Sequence, residues 1–186
     1  DQPRSRGLGD VYKRQKQELQ LVVDALAQRK EESLEFKERA IEAFNVQNFK
    51  RAEQHLSSAI ELDPENHVFY SNRAAAFMSK GDPAKALADA DMCIKLSPTW
   101  AKGYSRKGAA LHAMKKYDEA DAAYQAGLAV APGDAALKQG VVDVNKAKGA
   151  AQSAANNPFG AALGRTSSPS SRSTRRSATS SATRIS

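Results

Sequence analysis

The sequence lacks most of the residues from which catalytic and metal sites are built. It contains one cysteine, one tryptophan and three histidines in 186 residues. A single cysteine excludes a disulfide framework, and we interpret Cys93 as a small packing residue in a reducing, cytoplasmic setting. No histidine has a second ligand at metal-binding spacing, and no glycine-rich phosphate loop or serine elbow occurs. We therefore predict that the chain is not an enzyme and holds no metal or cofactor.

Long apolar runs are also missing, and the excess of positive charge is confined to one end. No stretch approaches the roughly 18 apolar residues of a membrane span, so we expect no membrane partner. The formal net charge is +7, yet no acidic residue follows Asp143, and the 21 acidic residues up to that point are balanced by 21 basic ones. The Ser/Arg-rich tail has no aromatic residue among its arginines, and we therefore expect no nucleic-acid partner.

The sequence does contain a repeat with a step of 34 residues. Proline, alanine, aromatic and small residues recur in columns at this step: Pro64, Pro98, Pro132; Ala52, Ala86, Ala120; Phe36, Tyr70, Tyr104; Ala40, Ala74, Gly108. A fixed period of this length is typical of stacked supersecondary units. In the second unit, Gly81-Asp82-Pro83 separates two helical stretches, which predicts an antiparallel helix pair in each unit.

The pattern predicts an all-α fold, a right-handed α-solenoid of three helix pairs with a C-terminal capping helix and disordered tails. The units span 33–66, 67–100 and 101–134, and they resemble the tetratricopeptide repeat. The capping helix is predicted over 135–148, with an apolar face of Ala135, Leu137, Val141, Val142 and Val144. The Ser/Arg-rich tail, 149–186, has too few large apolar residues to offset its ordering entropy.

The segment before the first unit divides into two parts. Residues 1–15 begin with Asp rather than Met, and the run GLGDVYKRQ resembles adapter-derived translation, so we expect a non-native or disordered leader. Over 16–32, Leu19, Val22, Val23 and Leu26 follow the spacing i, i+3, i+4, i+7. This spacing predicts an amphipathic helix that packs either on the stack or on a partner.

One face of the first helix of each unit is predicted to line a concave surface. Positions two, five, six and nine of a unit share a helical face. Basic groups converge there around a carboxamide, and small residues leave the floor open, which favours an acidic, extended peptide over an ordinary solvated helix face. The carboxylates of Asp89 and Asp91 are predicted to be solvated. The stripe is Leu34, Val68, Lys102; Lys37, Ser71, Ser105; Glu38, Asn72, Arg106; Ile41, Ala75, Ala109.

Two segments narrow the resemblance. Residues 66–75 (NHVFYSNRAA) and 100–110 (WAKGYSRKGAA) closely resemble the first tetratricopeptide domain of the stress-inducible co-chaperones that organise heat shock protein 70 and heat shock protein 90. The resemblance spans about 34–148. It implies an adaptor, of which this chain is a fragment, that binds the acidic C-terminal Glu-Glu-Val-Asp peptide of either chaperone through a carboxylate clamp.

The resemblance also implies roles for individual residues. Lys37, Asn72 and Lys102 would hold the two carboxylates of the terminal aspartate. Arg106 would contact the peptide backbone or an upstream acid. These four side chains all belong to the stripe defined above.

A pocket for the adjacent apolar side chain is implied as well, and one position departs from the family pattern. Phe44, Ala75 and Met78 would line that pocket. The family usually has an asparagine where this chain has Ile41, and isoleucine has no hydrogen-bond donor. Losing one hydrogen bond to a charged group weakens binding by about tenfold or more.

Two other interpretations stay open at this stage. In the first, the chain is a scaffold like the small glutamine-rich co-chaperones, which dimerises through the 16–32 helix and binds another peptide. In the second, the repeats are an adaptor domain of a longer enzyme, such as a peptidyl-prolyl isomerase or a phosphatase. We expect a monomer or a weak dimer.

Overall fold

The computed structural model describes residues 4–156, and it describes the side chains of residues 9–153. This part of the chain forms seven α-helices and no strand, which confirms the predicted all-α fold of three helix pairs and a further helix. Among the described residues, no helix combines the length and the hydropathy of a membrane span. Residues 1–3 and the predicted disordered tail beyond 156 lie outside the described residues. The helices are α1 (Arg4–Asn45), α2 (Phe49–Leu62), α3 (His67–Lys80), α4 (Pro83–Leu96), α5 (Ala101–Ala113), α6 (Tyr117–Val130) and α7 (Ala135–Asn156).

The first six helices pack as consecutive pairs. α1 packs on α2, α3 on α4 and α5 on α6, and successive pairs meet through α2 and α3 and through α4 and α5. α3 also contacts α5. The first helices of the second and third units therefore lie side by side, as the repeat pattern requires.

Small residues are buried where helices approach most closely. Ala40, Ala74 and Cys93 are at most 2% exposed. A Cβ atom added to Gly108 would lie 2.6 Å from the ring of Tyr124, so no larger residue fits there without displacing that ring. The interpretation of Cys93 as a small packing residue agrees with this burial.

The turn inside each pair contains a left-handed residue at the same place in every unit. Gln47, Gly81 and Lys115 have φ values of 59°, 78° and 62° and are 34 residues apart. Only the glycine indicates this conformation in the sequence, because the left-handed conformation costs a residue with a Cβ atom about 1–2 kcal/mol. The next residue in each turn donates its N–H to the carbonyl five positions earlier, at 2.8–2.9 Å. This hydrogen bond closes the turn regardless of residue type.

The proline and aromatic columns act together. The Tyr70 hydroxyl donates to the carbonyl oxygen of Pro64 at 3.2 Å, and the Tyr104 hydroxyl donates to that of Pro98 at 3.0 Å. Each bond ties the first helix of a unit to the loop that precedes it. Phe36, in the same column, has no hydroxyl and forms no such bond.

Asp89 is not the solvated carboxylate that the sequence predicted. It is 5% exposed, and the Arg73 guanidinium donates to both of its oxygens at 2.8 Å. Arg73 also donates to the Ser57 hydroxyl at 3.1 Å, so the ion pair links α2, α3 and α4. The prediction was wrong because the helical pattern alone does not show which neighbouring helix covers Asp89. Asp91 is half exposed and pairs with Lys107 at 2.8 Å.

α1 is longer than the repeat pattern indicates. It runs unbroken from Arg4 to Asn45, so the expected 16–32 helix is continuous with the first helix of the first unit. Residues 4–15, part of the segment expected to be a non-native or disordered leader, belong to the same helix. The apolar stripe of Leu19, Val22, Val23 and Leu26 is 52–67% exposed and therefore does not pack on the stack.

α7 closes the far end of the solenoid. It begins at Ala135 as predicted, and Leu137 and Val144 are fully buried in a cluster with Leu111 and Tyr124. Val142, expected in the same apolar face, is 58% exposed. The helix continues to Asn156, beyond the predicted end at 148.

Gly140 makes the packing of α7 testable. A Cβ atom at this position would clash with the Tyr124 ring, whereas a Cβ at Gly149 on the same helix meets no atom within 4 Å. We expect Gly140→Ala to lower the free energy of unfolding by about 1–3 kcal/mol through overpacking. Gly149→Ala should be neutral or stabilising by up to about 1 kcal/mol. Urea denaturation measures both, and equal effects of the two substitutions would contradict the packing described.

Candidate peptide-binding groove

A cavity of about 140 Å³ lies where the first helices of the three units meet. α1, α3 and α5 all contribute side chains, and α2 adds one from behind. The lining residues are Ala40, Ile41, Phe44, Asn45, Leu56, Asn72, Ala75 and Arg106. The structure thus brings together Ile41, Phe44, Asn72, Ala75 and Arg106, five of the eight residues predicted for peptide binding.

Arg106 dominates the electrostatics of this cavity. Its Nε atom is buried and has no hydrogen-bond partner among the described residues. The titratable group that interacts with it is the Cys93 thiol, whose pKa burial raises to about 11, so that it stays protonated and uncharged at neutral pH. Burial lowers the pKa of Arg106, which shows that its charge is only partly solvated. A buried charge without a counter-ion favours an anionic ligand.

Two carboxamides accompany this cation. Asn72 is half-buried on α3, and no hydrogen bond engages its side chain within the part of the chain that the structure describes. Asn45 lines the same cavity from α1 and was not predicted. Because Asn45 follows Ile41 by one helical turn, it faces the same side of α1. Its carboxamide is a donor near the position where isoleucine provides none.

The two predicted lysines stand beside the cavity rather than in it. Lys37 precedes Ile41 by one helical turn, and Lys102 precedes Arg106 in the same way, so each lies on the face of its helix that carries a lining residue. Lys37 Nζ lies 2.8 Å from the exposed carboxylate of Glu38. Lys102 is exposed and forms no ion pair among the described residues.

Two residues face the core instead of the cavity. Met78 packs against a cluster of Ala74, Phe77, Ala86 and Ala110 and does not line the cavity. Ser71, placed on the open stripe by its position in the unit, is fully buried and its hydroxyl has no partner in the described region. Rotation of α3 about its axis, which the sequence does not reveal, accounts for both placements.

The chemistry of the cavity follows from these groups. Ala40, Phe44, Leu56 and Ala75 form an apolar floor, and the guanidinium and carboxamides stand at its edge. Such a site suits an anionic group next to an apolar side chain. Across residues 9–153, no group of three or more His, Cys, Asp or Glu side chains is placed to hold a metal ion.

Comparison with known proteins identifies the repeat to which these helix pairs belong. Residues 101–134 match the tetratricopeptide repeat profile. The structure is similar to the first tetratricopeptide domain of Spaghetti (RPAP3) bound to the HSP90 peptide SRMEEVD, with a TM-score of 0.62 and 27% identity over 64% of this chain and 95% of that one. The chain contains a tetratricopeptide-repeat domain.

Curated relatives of this tetratricopeptide domain include a heat shock protein and a Hsp70-Hsp90 organizing protein. The heat shock protein sti1 homolog of Schizosaccharomyces pombe is 44% identical over 127 residues, which cover 67% of this chain and 22% of that protein. The Hsp70-Hsp90 organizing protein of Triticum aestivum is 48% identical over 108 residues, which cover 58% and 19%. The chain therefore spans about a fifth of the length of these relatives. The predicted resemblance is confirmed.

The unpaired state of Arg106 has a measurable consequence for stability. Replacement by Met keeps much of the side-chain volume and removes a charge that folding desolvates, so we expect Arg106→Met to raise the free energy of unfolding by about 1 kcal/mol. Arg73→Met should lower it by about 3 kcal/mol, because it leaves the buried Asp89 carboxylate unpaired. Urea denaturation at neutral pH and without ligand measures both, and a strong loss of stability in Arg106→Met would show that Arg106 has a structural partner.

Proposed function

We propose that the groove binds the acidic C-terminal Glu-Glu-Val-Asp peptide of a heat shock protein 70 or heat shock protein 90 chaperone, and that the chain is part of a co-chaperone adaptor. The observation that carries the proposal is the buried, unpaired Arg106 Nε at the edge of an apolar cavity, beside the free carboxamide of Asn72. A carboxylate from outside the chain would supply the missing counter-charge and hydrogen-bond acceptor.

Similar proteins support this choice of ligand. The Spaghetti (RPAP3) domain described above is bound to an HSP90 peptide that ends in Glu-Glu-Val-Asp. The wheat relative is itself a Hsp70-Hsp90 organizing protein. We extend both properties to this chain because its groove carries the cations and amides that an acidic peptide end requires.

The clamp divides into an anionic and an apolar part. Lys37, Asn72 and Lys102 take the carboxylates of the terminal aspartate, and Arg106 contacts the backbone or an upstream acid. Phe44 and Ala75 receive the apolar side chain, with Met78 behind them. Ile41 extends the apolar wall, and Asn45 offers a donor one turn further along α1.

The setting of this activity follows from the same reasoning. A reducing cytoplasm suits a chain whose one cysteine is buried and free. We assign the chain an adaptor role without catalysis, since a groove that captures a peptide end needs no reacting group.

Calorimetric titration with a Glu-Glu-Val-Asp peptide tests the clamp. We expect Arg106→Ala and Lys102→Ala each to weaken binding by about tenfold or more, because each removes a hydrogen bond to a charged group. Raising the salt concentration should weaken binding of the unmutated chain, since exposed charges are screened.

Lys107→Ala is the matched control. Lys107 follows Arg106 in α5 and already pairs with Asp91 at 2.8 Å, so its loss removes the same charge from the same helix outside the cavity. We expect no change in affinity for this variant. Equal affinities of the unmutated chain, Arg106→Ala and Lys102→Ala would exclude the clamp.

A second candidate function rests on the exposed stripe of α1. Leu19, Val22, Val23 and Leu26 are more than half exposed, and apolar helix faces of this kind commonly pair with another helix. The alternative is a scaffold that dimerises through this segment and uses the Ile41-bearing groove for a less acidic peptide.

Light scattering distinguishes the two functions. The scaffold predicts a dimer in the full chain and a monomer once residues 1–31 are removed. The adaptor predicts that this truncation leaves peptide affinity unchanged within about twofold, because Lys37 and all residues of the groove remain. A monomeric full chain at millimolar concentration would eliminate the scaffold.

A further inference from the structure

A second cavity lies beside the turn between α1 and α2. Its volume is about 490 Å³, and it shares no lining residue with the groove. Three of its seven lining residues are basic and one is acidic, so its wall carries an excess of positive charge. The lining residues are Arg39, Glu42, Ala43, Val46, Asn48, Arg51 and His55.

The 34-residue step explains where this excess comes from. Arg39 occupies the position that Arg73 has in the second unit, and His55 occupies the position of Asp89. In the second unit, the carboxylate accepts two hydrogen bonds of 2.8 Å from the guanidinium. In the first unit, an imidazole stands where that carboxylate would be. The first-unit arginine therefore lacks the partner that its repeat equivalent has.

The positive charges of this cavity have few ion-pair partners among the described residues. The only ion pair of Arg39 among the described residues is with the exposed carboxylate of Glu35, at 3.3 Å on the same helix, and exposed pairs of this kind stabilise little. Across residues 9–153, neither the Arg51 guanidinium nor the Glu42 carboxylate forms an ion pair. Burial lowers the pKa of His55, and the positive charges of Arg51 and Arg39 lower it further.

The groups are also held in place. The Phe36 ring lies 6.1 Å from the His55 ring and 5.3 Å from the Arg39 guanidinium carbon, so one aromatic side chain supports both. The Asn48 side chain caps α2 by accepting from the backbone N–H of Arg51 at 3.1 Å. That backbone donor is thus already satisfied, and the side chains are the groups left to bind a ligand.

We propose that Arg39, Arg51 and His55 form a second anion-binding site, the first-unit basic pocket, which takes an oxyanion presented by an acidic partner polypeptide. The oxyanion is a carboxylate or a phosphate, and it takes the place that Asp89 fills in the second unit. Arginine binds both groups through paired hydrogen bonds. Val46, 75% exposed at the same cavity, contacts the apolar part of the partner chain beside the anion.

Proton NMR titration of the histidines tests the site directly. The chain contains three histidines, and the His55→Asp variant assigns the His55 imidazole signal among them. We expect inorganic phosphate, compared with chloride at the same ionic strength, to raise the pKa of His55 by about 1, since a nearby anion favours the charged imidazole. The imidazole signals of His67 and His112, which lie outside the pocket, should not respond to the exchange of anions.

Acetate in place of phosphate identifies the source of the oxyanion. An increase in the pKa of His55 with both anions supports a site open to acidic side chains, and an increase with phosphate alone supports a site for a phosphorylated residue. A pKa of His55 that responds to neither anion overturns the proposal. This outcome leaves the groove untouched, because the two sites share no residue.

Substitution of His55 by the residue at the equivalent position of the second unit provides a second and independent test. His55→Asp restores to the first unit the carboxylate of the second, so we expect it to raise Tm in chloride by about 2 °C and to abolish any further rise with phosphate. Arg51→Gln should weaken phosphate binding, measured by the rise in Tm with phosphate, by about tenfold. Lys50→Gln, the same change of charge one residue away and outside the pocket, should preserve it. A rise in Tm with phosphate that persists in both His55→Asp and Arg51→Gln contradicts the site. So does a rise in Tm that Lys50→Gln removes as fully as Arg51→Gln does.

Discussion

Close helix packing at the buried small residues is the constraint on which the rest of this structure depends. Columns such as Ala40, Ala74 and Gly108 leave no room for larger side chains, so each helix pair must stack on the next in one register. That register places position six of successive units in a row, and Asn72 and Arg106 therefore line one cavity although they are 34 residues apart.

The same register decides which charges are neutralised inside the chain. Arg73 finds Asp89, and Lys107 finds Asp91, so these cations contribute to the fold. Arg106 faces a protonated thiol, and Arg39 faces a histidine, so neither is compensated in the same way. In a repeat protein, a cation that lacks an ion-pair partner in one unit, while its equivalent has one in the next, indicates a surface that can bind an anionic ligand. Stability is reduced where binding requires an open charge.

The fold was predictable because its determinants recur in columns. Three units, their helix pairs and the start of α7 follow from prolines, glycines and small residues at a constant step. The left-handed turn residues Gln47 and Lys115 were not predictable, because backbone hydrogen bonds rather than residue type impose them. The unbroken α1 was missed because the repeat pattern places a unit boundary at residue 33. No proline or glycine ends the helix there, and the helix continues through the boundary.

The candidate site was predictable in part for a similar reason. Helical periodicity identifies residues that share a face, and it assembled Asn72, Ala75 and Arg106 correctly within one cavity. It does not give the rotation of a helix against its neighbours, so it misplaced Ser71 and overlooked Asn45. Met78, which the family resemblance assigned to the apolar pocket, packs against the core instead. Contacts between helices, such as the Arg73–Asp89 pair of α3 and α4, depend on that rotation and require the three-dimensional structure.

Arg106 is central to the proposed function, as a cation that is unpaired among the described residues and that binds an anionic peptide end. Arginine Nε–H signals in a ¹H–¹⁵N NMR spectrum report on it directly during a titration with a Glu-Glu-Val-Asp peptide. We expect the Arg106 Nε–H signal to shift and to exchange more slowly with water as the peptide binds. The Arg73 Nε–H, which already donates to Asp89, should keep its signal in place. Saturable binding of the peptide with an unchanged Arg106 signal would contradict this role of Arg106.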